Sequence, residues 1–212
     1  MKKALIVQGG WEGHEPKLVA DIPAKFLRDS GFEVQISDTL DSFKDEAMLA
    51  GLDLIVPEWT MGSITREQLQ PLLKAVREDG VGIAGLHGGM GDSFRNECDY
   101  QFMVGGQWVA HPGGVIDYRV HIVDHADEIT ADLNHFNMHS EQYYMHVDPS
   151  NHVLATTTFE VNGCTMPVAW KRMYGKGRVF YSALGHVAKD LDVPEAYSLI
   201  TRGMLWAAAG KK

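Results

Sequence analysis

Apolar positions in the first half of the chain switch between short continuous runs and a period of three to four, the pattern of β-strands separated by amphipathic helices. Residues 4–7, Ala-Leu-Ile-Val, predict a buried first strand. Leu18, Ile22 and Phe26 then recur every four residues, with Pro16 at the first helical position and Gly31 as the stop, so a helix is expected over residues 15–30. Pro23 should kink or split it, because proline lacks the N–H that the helix ladder needs. Residues 32–36 alternate as a second strand, and the apolar run 52–56 predicts a third, covered on both faces. Thr65 and Gln68 form a capping box ahead of Leu69, Leu72, Leu73 and Val76, a helix that carries Pro71 and closes at Gly80. Residues 81–86 are a fourth buried strand running into His87-Gly88-Gly89.

Beyond about residue 98 the helical rhythm gives way to alternation at 117–123 and 152–160, which predicts partly antiparallel strands that extend the sheet. Residues 167–174 and 178–184 read as two strands joined by the turn Gly175-Lys176-Gly177. A last helix starts at Asp192-Val193-Pro194-Glu195 and aligns Tyr197, Ile200, Met204 and Leu205 on one face. No repeat, linker or low-complexity tract interrupts the order. The expectation is one domain over residues 1–212, a flavodoxin-like α/β fold with a mostly parallel sheet and helices on both faces.

Composition narrows the function. The 212 residues are 45% hydrophobic and 22% charged, which excludes disorder as a description of the whole chain. A formal charge of −9 argues against nucleic-acid and anionic-membrane partners. Cys98 and Cys164 form no CxxC pair and no disulfide framework, so a zinc ribbon is excluded and a reducing, cytoplasmic location is expected. The apolar start is too short for a signal h-region, and no later run approaches the roughly 18 residues of a membrane span. Ten histidines are the unusual feature.

In open parallel sheets ligands bind beyond the carboxyl ends of the strands. Four segments expected there combine glycine with polar or aromatic residues: Gly9-Gly10-Trp11-Glu12-Gly13-His14, Pro57-Glu58-Trp59-Thr60, Gly85-Leu86-His87-Gly88-Gly89 and Leu184-Gly185-His186. A shared cleft holding His14, Glu58, Trp59, His87 and His186 is therefore expected. Gly85 to Gly89 has the spacing of a nucleophile elbow, with imidazole at the tip. His87 there would act as base, acid or metal ligand, although the same spacing also suits a histidine that only caps a tight turn. Seven histidines lie between His111 and His152 without an HExxH pair, and most read as surface strand residues. Gly105-Gly106-Gln107-Trp108-Val109-Ala110-His111-Pro112 and Ser140-Glu141-Gln142-Tyr143-Tyr144-Met145-His146 stand apart, because each sets His or Glu beside aromatics that either stack on a sugar or belong to the core.

These segments, with Pro167-Val168-Ala169-Trp170 and Tyr174-Gly175-Lys176-Gly177-Arg178-Val179-Phe180-Tyr181, occur in the order found in the ThuA-like, trehalose-utilisation family, which the chain resembles over nearly its whole length. It departs from the family pattern at Ser140 and at Ala126. The resemblance implies a fold like class I glutamine amidotransferases, with His87 where those enzymes carry cysteine, so thiolate glutamine hydrolysis is not expected. It implies a cytoplasmic protein of disaccharide catabolism, functionally linked to a dehydrogenase that oxidises the sugar at C3. A 3-keto sugar has an acidified neighbouring C–H, so isomerisation or elimination of the glycosidic bond needs a base and an electrophile. On that basis His87, His186 and Glu141 are the expected catalytic residues, and the same three are the expected ligands of any divalent ion such as zinc. Trp11, Glu58, Trp59 and Tyr143 are expected to bind substrate, the aromatics as a sugar platform, and His14 and His111 to bind substrate or serve as further ligands. No nucleotide cofactor is expected, and a homodimer is. The rival readings are a non-catalytic sugar-binding or regulatory module and a divergent hydrolase using Ser93 or another hydroxyl as nucleophile. Replacing His87 with alanine should abolish turnover and leave the melting temperature nearly unchanged.

Overall fold

The computed structural model describes residues 1–211. Strands β1 (Lys2–Gly10), β2 (Phe32–Ser37), β3 (Leu54–Thr60) and β4 (Gly82–Leu86) are connected through helices α1 (Pro16–Asp29), α2 (Glu46–Ala50) and α3 (Arg66–Arg77). Next come α4 (His87–Gly91), α5 (Cys98–Val104), β5 (Gly106–Ala110), β6 (Val115–Ile122), β7 (Phe136–Glu141), β8 (Tyr144–Val147) and β9 (His152–Thr158). The hairpin β10 (Thr165–Tyr174) and β11 (Gly177–Ser182) leads to α6 (Pro194–Ala208).

Nine strands form one sheet in the order β2-β1-β3-β4-β11-β10-β9-β6-β7, and β5 pairs with β8 separately. Pairings from β2 to β11 are parallel, whereas those from β11 to β7 are antiparallel. The continuous apolar runs are explained by burial on both faces. Ile6, Val56 and Ala84 meet α1 and α6 through Val19, Leu27, Leu199 and Met204. Leu5, Val7, Ile55 and Ile83 meet the α2, α3 and α5 side through Leu49, Leu72, Val76 and Met103.

Three expectations need correction. First, Pro23 does not split its helix, and α3 likewise continues through Pro71. Complete burial of Val19 and Leu27 contributes about 1.5–3 kcal/mol each, which offsets the cost of about 3 kcal/mol for the interior proline. In α3 the Gln68 side chain closes the capping box by accepting the Thr65 N–H at 2.9 Å. Second, β1 and β3 run on to Gly10 and Thr60, with Gly9 opposite Trp59, so Glu58 and Trp59 lie on a strand and not in a loop. Third, β11 begins at Gly177, which leaves a two-residue turn at Gly175-Lys176. Among the described residues no helix is long and apolar enough to cross a membrane.

The antiparallel half positions the site. β7 lies five places from β4, which in a flat sheet is about 24 Å at about 4.8 Å per strand. Glu141, at the end of β7, nevertheless stands 3.2 Å from His87. The extension therefore curls back over the carboxyl ends of the parallel strands.

Candidate active site

β4 is wholly buried and turns into α4 at His87, whose φ of 42° lies in the left-handed region. That conformation strains a residue with a side chain and is characteristic of functional turns. The elbow is pressed against its neighbours. A Cβ on Gly88 would sit 2.5 Å from His14 Cε1, and one on Gly89 would sit 2.2 Å from Glu58 Oε1, so glycine is required for this close approach. The His87 ring is 1% exposed. Its Nδ1–H donates to the Ala183 carbonyl at 2.8 Å, the Tyr181 hydroxyl donates to the His87 carbonyl at 3.0 Å, and Tyr143 stacks on the imidazole at 3.9 Å.

Four imidazoles surround one carboxylate. His14 comes from the turn after β1, His87 from the elbow, His111 from the loop after β5 and His186 from the loop after β11. Their Nε2 atoms lie 3.9, 3.2, 3.6 and 3.7 Å, respectively, from Glu141 oxygens. The pairing with His87 is informative. Its Nδ1 must carry a proton to satisfy Ala183, so a neutral ring would aim the Nε2 lone pair at Glu141. Two acceptors at that distance repel, and the contact requires a shared cation, either a proton or a metal ion.

The surrounding charges point the same way. Burial is the main cause that drives His14 down to about 3, reinforced by His87 and His186 and opposed by Glu141. His186 is also lowered, first by burial and then by His87. Burial alone would raise Glu141, but the hydrogen bond and charge of His87, with His186 and His111, outweigh it and hold the carboxyl below its ordinary value. Neutral imidazoles and an ionised carboxylate are the forms that bind metal. One ligand atom each from His14, Glu141 and His186 lies within 4.8 Å of the others. His14 thus joins Glu141 and His186 in a donor trio, where the sequence reading named His87 as the third ligand. His14 Nδ1 is hydrogen-bonded to Thr60 Oγ1 at 2.9 Å, the second-nitrogen support that orients metal-binding histidines.

The remaining expected residues divide. Trp11 is 47% exposed and meets the His14 ring edge-on. His111 is also partly open. Tyr143 is 4% exposed and has a ring face covered by His87, so it orients the imidazole and cannot serve as a sugar platform. Trp59 alternates away from Glu58 on β3 and packs with the α3-side core, outside the ring contacts of the cluster. Glu58 is 2% exposed, is raised well above the ordinary carboxyl value by burial, and has an Oε2 without a partner. A buried neutral acid beneath the elbow cannot touch substrate from the mouth. Ser93 donates to the Gly89 carbonyl, Cys98 opens α5, and Cys164 precedes β10.

Of the seven histidines in the middle of the chain, His111 alone joins the cluster among the described residues. His139 pairs with Asp117 and His152 with Asp124, while His121, His125 and His135 gather elsewhere. Thr60, Ala183 and Asp190 went unpredicted. Asp190 accepts hydrogen bonds from the Ser140 hydroxyl at 2.5 Å and the His186 N–H at 3.0 Å, so it fixes β7 against the His186 loop. Only tertiary contact brings these groups to the site, and no sequence spacing announces them.

No curated protein sequence matches the chain. Solved structures with the same fold include a ThuA-like protein of Bacteroides uniformis, at 16% identity and TM-score 0.78 over 97% of this chain and 91% of that one. Another, from Parabacteroides merdae, gives 18% identity and TM-score 0.77 over 99% of this chain and 91% of that one. A glutamine amidotransferase of Thermotoga maritima gives 12% identity and TM-score 0.57 over 98% and 96%. At these identities the likeness establishes the fold, and the α/β, amidotransferase-like architecture is as expected. The family model for ThuA, described as trehalose utilisation, matches residues 3–207, and the chain belongs to that family.

Proposed function

We propose that this chain is an acid–base enzyme of disaccharide catabolism that acts on a 3-keto sugar, moving the proton on the carbon beside the ketone. The observation that carries this reading is the convergence of four imidazole nitrogens on Glu141. Glu141 removes the acidified proton, and His87, held in one tautomer by Ala183, shares and returns it. His14 and His186, neutral at physiological pH, offer hydrogen bonds to the enediolate oxygen, while Trp11 and His111 line the entrance. Return of the proton to a different atom gives isomerisation, and loss of the neighbouring glycosidic oxygen gives cleavage.

The donor trio favours a second form of the same reading. A divalent ion such as zinc, held by His14, Glu141 and His186, would supply a Lewis acid for the ketone oxygen. In that form the proton acceptor is His87 Nε2, whose other nitrogen is already committed to Ala183. A dehydrogenase that oxidises the sugar at C3 would supply the substrate, in the cytoplasm.

The test is turnover of native and 3-oxidised disaccharides by protein purified without a histidine tag, with elemental analysis of the same sample. Consumption of the oxidised sugar alone is expected, and a stoichiometric metal selects the second form. Saturable binding of both sugars without consumption of either would identify a binding module and overturn the enzyme reading.

A further inference from the structure

A hollow of about 300 Å³ lies beside the imidazole cluster and shares His186 with it. Val115 of β6, Met138 of β7, and Val187 and Val193 from the segment before α6 give it aliphatic walls, with Lys189 and His139 among its polar lining residues. Its chemistry differs from that of the entrance. Sugar rings are held by aromatic faces and dense hydrogen-bonding groups, as at Trp11 and His111. This hollow has valine and methionine, and its buried carboxylate, Asp190, is already used by Ser140 and the His186 backbone. An apolar wall with few free polar groups rewards burial of hydrocarbon at about 25 cal/mol per Å² and gives a hydroxylated ring little in return.

We infer that the hollow is a subsite for an apolar aglycone, so that the substrate class extends to 3-keto glycosides whose leaving group is an aryl or alkyl alcohol. This inference rests on the proposed function, because the sugar half is assigned to the cluster. His186 stands at the junction, which places the glycosidic oxygen between the two compartments. Removal of the proton at C2 of the 3-keto ring by Glu141 then expels the alkoxide at C1, which takes up a proton to leave as the free alcohol. The C1–O bond breaks, a C1–C2 double bond forms, and no oxidant or reductant is consumed.

The experiment compares 3-keto glucosides carrying a methyl or a phenyl group at C1. The phenyl compound is expected to show a KM at least tenfold lower, and Val115→Trp, which fills the hollow from an exposed strand position, is expected to reduce the phenyl-to-methyl ratio of kcat/KM at least tenfold. Equal KM values in the wild type, or a ratio that Val115→Trp leaves unchanged, would overturn the subsite. Should neither compound turn over, the proposed function fails separately. Calorimetric binding of unoxidised phenyl and methyl glucoside then decides the subsite, with phenyl preference lost in Val115→Trp supporting it and equal binding refuting it.

Discussion

Glu58→Gln isolates one buried group and gives a signed, pH-dependent result. The carboxyl is fully enclosed, and burial raises it well above the ordinary value of 4.5. In the native state it is therefore protonated over a range in which the unfolded chain releases that proton. The unfolded state then binds fewer protons than the native one, so stability falls as pH rises above 4.5. Each pH unit between the unfolded and the native pKa costs about 1.4 kcal/mol, and the loss stops once the native pKa is passed. Glutamine has the same shape and cannot ionise. Any change in hydrogen bonding from its amide is an offset common to every pH. Urea unfolding followed by circular dichroism, at half-unit steps from about pH 4.5 to 7.5, should give a stability difference that grows in favour of the variant. A constant difference, or one that shrinks with rising pH, would falsify the assignment of a neutral acid under the elbow.

Other consequences concern the cluster and its supports. Because His87 is buried, hydrogen-bonded and at positive φ, its replacement by alanine should lower stability by about 1–3 kcal/mol, contrary to the expectation from sequence. His87→Asn tolerates the left-handed backbone better and should cut turnover of a 3-keto disaccharide by about 10²–10⁴-fold in steady-state assays, with retained activity removing His87 from the chemistry. Gly88→Ala should lower the melting temperature and displace His14, since the new methyl would overlap that ring; the overpacking cost is about 1–3 kcal/mol, read by calorimetry. Tyr143→Phe should keep near wild-type activity, because the stacked ring and not the hydroxyl orients His87, whereas Tyr143→Ala should lose most of it. Equal loss in both variants would contradict the stacking role.

The parallel half of the fold was legible because burial on both faces writes continuous apolar runs at β1, β3 and β4. The elbow was legible because His87, Gly88 and Gly89 are dictated by local backbone geometry and close contact. β7 escaped notice. Phe136, Met138 and Ser140 alternate with exposed Asn137 and His139, but the pattern is short and mixed in polarity. The role of Glu141 depends on how far the antiparallel extension curls, a property of sheet twist and packing that no local spacing encodes. The same gap explains His14. Its position after β1 was readable, yet its place in the donor trio follows from contact with Thr60 and the elbow glycine. Conversely, Tyr143 was assigned to a sugar platform on residue type, and type does not distinguish a buried ring from an open one.

The most direct test is solvent isotope exchange. A 3-keto disaccharide incubated with the protein in D₂O should gain deuterium on the carbon beside the ketone, as followed by NMR, and Glu141→Gln should slow that gain by at least about a hundredfold. Exchange at the wild-type rate in Glu141→Gln, or none above buffer in the wild type, would contradict the claim that this carboxylate and its four histidines form a proton-transfer centre.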